Sequence, residues 1–62
     1  MSEKKPTVLV VDDESDMRDL HKVLLMHVGF NVLEAADGIQ ALMMINEEEL
    51  QIDAILSDVI MP

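Results

Sequence analysis

Two short apolar runs, Val8-Leu9-Val10-Val11 and Ala54-Ile55-Leu56-Ser57, each end on acid: the first on Asp12-Asp13, the second on Asp58. Short runs rich in β-branched side chains, set apart by stretches of helical periodicity, read as buried parallel strands. In open sheets of that kind, ligands bind just beyond the carboxyl ends of the strands. All three aspartates fall there, so one feature constrains both the fold and the place of any site.

The whole chain fits a β-α-β-α-β order. Strand one covers Thr7 to Val11 and is entered through Pro6, which cannot serve inside a central strand but can stand before one. Ser15 is the expected N-cap of a helix that reaches Val28, Asp16 suits its positive end, and Gly29 stops it. On that helix Met17, Leu20, Leu24 and Val28 recur at three- and four-residue steps and form the expected inward stripe. Arg18, Asp19 and Lys22 lie across from it, with Val23 and Met26 on the outward side. Strand two is Asn31 to Ala35. Asp37 is placed to cap a second helix with inward positions Ala41, Leu42 and Ile45, which closes in the solvated run Glu47-Glu48-Glu49. Ile39, Met43 and Met44 fall outside that stripe, as flexible cover or as a contact surface. Strand three is Ala54 to Asp58. Right-handed crossovers with strand one in the middle, order 2-1-3, put the helices on opposite faces and the carboxyl ends of strands one and three side by side.

With 62 residues the chain holds one domain at most, and a domain of that size buries only about 60% of its unfolded surface. Six methionines and a single aromatic, Phe30, fill the core softly. Thirteen acidic against four basic side chains give a net charge of −9, which repels phosphate backbones and anionic membranes and argues against direct nucleic-acid binding. No apolar run approaches the ~18 residues of a membrane span, and residues 1–6 read as a polar, flexible tail with no signal-peptide core behind it. With no cysteine, disulfides, zinc-thiolate sites and cysteine nucleophiles are excluded together. A cytoplasmic protein is expected.

Asp12, Asp13 and Asp58 then converge at one edge of the sheet as oxygen ligands for a divalent cation. Mg²⁺ suits best, because it takes one or two carboxylates and keeps waters for which phosphate oxygens can substitute. Plainer readings stand beside this one. Acids at a strand-to-helix junction can simply cap the helix, Asp37-Gly38 is turn and cap, His21 and His27 are packing or surface residues, and Glu47 to Glu49 is a solvated helix end.

The run Val8-Leu9-Val10-Val11-Asp12-Asp13-Glu14, then Arg18, Gly29-Phe30, Glu34-Ala35-Ala36-Asp37-Gly38 with Ala41-Leu42, and Leu56-Ser57-Asp58-Val59-Ile60-Met61-Pro62 closely resemble the receiver domain of bacterial two-component response regulators. The resemblance runs from Thr7 to the last residue and implies a flavodoxin-like α/β fold, here its βαβαβ half. Carried over by position, it implies that Asp58 is the phospho-acceptor and Asp13 a direct Mg²⁺ ligand. Asp12 would act largely through water, and the main-chain carbonyl of Ile60 would be a third protein ligand. The implied chemistry is phosphoryl transfer from a phosphohistidine on a sensor histidine kinase, or from a phosphotransfer protein, to the Asp58 carboxylate. A carboxylate nucleophile and a phosphoryl group are both anionic, so a cation must neutralise their approach.

The family pattern also includes a Ser or Thr after a fourth strand and a Lys after a fifth, and neither is found in this chain. Its lysines are Lys4, Lys5 and Lys22. Residues 7–62 are therefore expected to be a truncated receiver domain, its first half only, with phosphorylation impaired. The alternative is a non-enzymatic half-domain whose main activity is self-association into a homodimer, through a strand 54–60 too apolar to face water as an open edge. A phosphatase of the haloacid-dehalogenase type would need a second aspartate where Ile60 stands, and no Gly-x-x-x-x-Gly-Lys loop is present.

Overall fold

The structure, a computed structural model, describes residues 5–47 and 49–57. Five elements follow in order: β1 (Thr7–Val11), α1 (Ser15–Val28), β2 (Asn31–Ala35), α2 (Gly38–Ile45) and β3 (Ala54–Ser57). The strands form one parallel sheet in the expected order β2-β1-β3, with strand one in the middle. β1 is paired on both sides. Thr7 to Val11 match Asn31 to Ala35 one for one, and Val8 to Val11 match Ala54 to Ser57.

Because successive side chains of a strand point to opposite faces, this register sorts the sheet into two surfaces. Leu9, Val11 and Ala35 lie on one and pack with Ala41 of α2, joined by Leu33, Met44 and Ile52. Val8, Val10, Val32 and Glu34 lie on the other, under α1, where Arg18 and Lys22 reach Glu34. β1 is the part sealed on both sides: Leu9 is 0% and Val10 1% exposed. The start of the sheet is fastened by a reciprocal pair, in which the Thr7 amide donates to Asp53 Oδ2 at 2.7 Å and the Asp53 amide to the Thr7 carbonyl at 2.8 Å.

Both helices begin and end for local reasons. Asp37 caps α2 as expected, its Oδ1 accepting from the Gln40 amide at 2.8 Å, while Gln40 Oε1 reaches back to the Ala36 amide at 2.6 Å. Gly29 ends α1 at φ 118°, a left-handed conformation that favours glycine, and its amide bonds the carbonyls of Leu25 and Met26. The start of α1 differs from expectation. Ser15 is the first helical residue rather than the cap, and Glu14 holds the N-cap position without a side-chain bond.

The helix faces differ more. On α1 the partly buried positions are Arg18, His21, Lys22 and Leu25, whereas Met17, Leu20, Leu24 and Val28, the whole of the expected stripe, stay exposed. The reason is Glu34: a carboxylate on the sheet surface under α1 draws the two cations over it. Their aliphatic stems lie along the sheet in place of leucine. On α2, Ala41 is buried as expected and Met44 packs on the core, while Leu42 and Ile45 are exposed. Among the described residues no helix is long and apolar enough to cross a membrane.

Candidate functional site

Strand β1 ends at Val11, and the chain turns at once. Asp12 is still within the sheet layer: its amide donates to the Ala35 carbonyl of β2 at 3.1 Å, and the residue is only 5% exposed. Its side chain curls forward, Oδ1 accepting from the Glu14 amide at 3.0 Å. That bond is a local turn of the Asx kind that leads into the helix without capping it, since Glu14 holds the N-cap position. Burial argues for more, because a carboxylate is rarely this enclosed without further partners. The Asp12 carbonyl accepts from Arg18 Nη1 at 2.7 Å, which ties the strand end to the first turns of α1. Asp13, one residue on, is exposed at the same edge.

Across from this turn stands the end of β3, with Ser57 in register with Val11. Between them a cleft of about 430 Å³ opens on the α1 side, lined by Val11, Asp12, Glu14, Met17, His21, Leu56 and Ser57. Its lining combines apolar side chains with two acids, an imidazole and a hydroxyl. Asp58 and the Ile60 carbonyl, expected as phospho-acceptor and cation ligand, lie outside the described residues, so the structure places two of the expected ligands. Among the described residues no set of three or more acidic, histidine or cysteine side chains gathers closely enough to hold a metal ion. Asp12 and Asp13 nevertheless fit Mg²⁺ in kind: they are hard oxygen donors, one buried and one open to water, at a strand's carboxyl end.

Two features escaped the sequence. Arg18 and Lys22 were expected on the face away from the sheet, yet they carry the ionic cluster with Glu34, at 3.6 and 3.4 Å, and Arg18 touches the acid turn itself. His21 and Met17 line the cleft beside Asp12. A hint was present in the spacing. Arg18, His21, Lys22 and Leu25 recur at three- and four-residue steps, but a search for apolar residues passes over three of the four.

The family model for the response regulator receiver domain matches residues 8–62. The chain belongs to that family. This receiver sequence is 46% identical over 55 residues to the transcriptional regulatory protein CpxR of Escherichia coli, covering 89% of this chain and 22% of that protein. It is 41% identical over 56 residues to the sensor kinase CckA of Brucella abortus, covering 90% of this chain and 6% of that protein. To the transcription factor SKN7 of Chaetomium thermophilum it is 35% identical over 60 residues, or 97% of this chain and 8% of that protein. The chain thus spans less than a quarter of the length of these relatives. No solved structure matches it significantly. Receiver domains are phospho-acceptors of two-component systems rather than enzymes in the ordinary sense; they interact with sensor kinases and generally bind Mg²⁺ at the phosphorylation site.

Proposed function

We propose that residues 7–62 carry the acid half of a receiver site. Asp58 is the phospho-acceptor, Asp13 a direct Mg²⁺ ligand, Asp12 a ligand through water, and the Ile60 carbonyl the third ligand from the protein. The observation that carries this reading is the buried Asp12 at the end of β1, held beside an exposed Asp13 and level with the end of β3. Bound there, Mg²⁺ would neutralise the approach of one anion to another. The donor we propose is a phosphohistidine on a sensor kinase or phosphotransfer protein, which makes the setting cytoplasmic. The net charge of −9 weighs against a direct nucleic-acid ligand.

Transfer in this chain is slow. Oriented charges that meet the phosphoryl oxygens supply much of the catalysis in such reactions, and no lysine or hydroxyl here matches the family positions that provide them. With acetyl phosphate and Mg²⁺, intact mass should show slow, incomplete gain of one phosphoryl group or none, and any gain should be lost in Asp58→Asn. Incorporation that survives Asp58→Asn would overturn the acceptor assignment. Rapid, stoichiometric incorporation would overturn the impairment.

A second reading concerns assembly. β3 stands at an edge of the described sheet, bonded to β1 on one side, and all four of its residues are exposed, Ile55 at 51% and Leu56 at 41%. Exposed apolar edges of this kind pair readily with another strand. We infer a homodimer in which β3 meets its own copy antiparallel across a two-fold axis, joining two three-stranded sheets into one of six strands.

A further inference from the structure

The residue that holds the acid turn most firmly carries no ligand chemistry of its own. Asp12 is gripped at three atoms: its amide by the Ala35 carbonyl, its Oδ1 by the Glu14 amide, and its carbonyl by Arg18 Nη1 at 2.7 Å. The last is the shortest of the three. Arg18 is itself fixed, because its own amide bonds the Glu14 carbonyl at 3.0 Å and its Nε lies 3.6 Å from Glu34 Oε1, whose second oxygen pairs with Lys22 Nζ at 3.4 Å. Its side chain is 20% exposed. A guanidinium can do this because its planar fork offers separate N–H groups to a carbonyl on one side and a carboxylate on the other.

The geometric consequence falls on Asp13. A trans peptide is planar, with its C=O and N–H on opposite sides, so pinning the Asp12 carbonyl fixes the plane shared with the Asp13 amide. That removes one of the soft rotations that would otherwise let the Asp13 carboxylate wander. Mg²⁺ tolerates little departure from octahedral geometry, so a cation seat built on this turn depends on such restraint. Arg18 and Lys22 also bring two positive charges towards a crowded acid edge, against one negative charge at Glu34.

We propose that Arg18 is a positioning residue for the cation seat: through the Asp12 carbonyl, and buttressed by Glu34, it sets the direction in which Asp13 presents its carboxylate. The proposal rests on the reading of Asp12 and Asp13 as Mg²⁺ ligands, and its test separates the two. Amide hydrogen exchange without metal reads the clamp directly. The Glu14 amide, bonded to Asp12 Oδ1, should exchange markedly faster in Arg18→Ala than in the wild type, while amides in the middle of β1 stay protected. A Mg²⁺ titration followed at the Asp13 amide reads the consequence: affinity should fall roughly tenfold in Arg18→Ala, the scale seen when partners that orient metal ligands are lost. Arg18→Lys, which can reach the carbonyl but cannot span to Glu34 as well, should recover part of the loss, and Glu34→Gln should show a smaller one.

Unchanged Glu14 exchange and unchanged Mg²⁺ affinity in a folded Arg18→Ala would overturn the proposal. Should Arg18→Ala not fold, wild-type exchange and affinity in both Arg18→Lys and Glu34→Gln would overturn it equally. A wild type that never responds to Mg²⁺ would refute the cation reading instead, and the exchange experiment would still decide whether Arg18 clamps the turn.

Discussion

Leu9→Ala is expected to leave the chain largely unfolded at room temperature. Leu9 is 0% exposed at the centre of β1, in the cluster that includes Val11, Ala35 and Ala41 and touches Leu33, Met44 and Ile52. Truncating a buried leucine costs roughly 2–5 kcal/mol, through lost transfer free energy and the cavity left behind. A chain of 62 residues has a total stability of only about 3–9 kcal/mol at ordinary values per residue, and so small a core places it at the low end. The loss is therefore comparable to the whole. Far-ultraviolet circular dichroism should show most of the helical signal gone. Ile39→Ala serves as the control: Ile39 is 74% exposed on α2, and its truncation should move stability by less than about 0.5 kcal/mol. A Leu9→Ala protein that still unfolds cooperatively near the wild-type urea midpoint would contradict a core centred on β1.

Leu56→Lys should convert the folded dimer into a marginal monomer. Leu56 pairs with Val10 in the ladder, is 41% exposed, and stands over the cleft beside Met17 and His21. Its neighbour Ile55 is 51% exposed, so the edge strand offers apolar side chains to a partner. Lysine on an edge strand is a common guard against pairing, and two of them near a two-fold axis also repel each other. Because dimerisation stabilises only the folded state, the wild-type melting temperature should rise with concentration, and in Leu56→Lys that dependence should vanish along with the dimer mass. Sedimentation equilibrium and thermal unfolding at several dilutions read both quantities. A wild type that sediments as a folded monomer from micromolar to millimolar concentration, with a melting point indifferent to dilution, would refute the dimer.

The backbone was legible because its signals are local and redundant. Thr7–Val11 and Asn31–Ala35 match the expected strands residue for residue, since short runs bounded by Pro6, Asp12 and Gly29-Phe30, the first of them rich in β-branched residues, leave little room to slide. Right-handed crossovers left few orders, and β2-β1-β3, with strand one in the middle, is the one observed. Helix orientation was legible only in part. Reading α1 by its apolar periodicity assumes an apolar surface beneath it, but Glu34 sits there, and the charges that answer it define a second stripe turned by about one residue. Met44 displaced Leu42 and Ile45 on α2 for a related reason. A flexible, unbranched side chain can pack on the cluster of Leu9, Val11, Ala35 and Ala41 from a position that a strict apolar stripe ignores. At the site, the acids were visible as residue types at strand ends. The grip of Arg18 on the Asp12 carbonyl was not, because a side-chain bond to a backbone atom leaves no pattern in the sequence.

The account stands on the claim that Asp12, Asp13 and Asp58 form a seat for a divalent cation. Titrating Mg²⁺ while following the amide resonances of Asp13 and Asp58 addresses that claim directly. Carboxylates crowded at one edge repel each other until a cation joins them, and a seat with few protein ligands holds Mg²⁺ weakly. Both resonances should therefore move together and saturate in the millimolar range, and the response should be lost in Asp13→Ala. No response at tens of millimolar, or one that Asp13→Ala leaves unchanged, would contradict it.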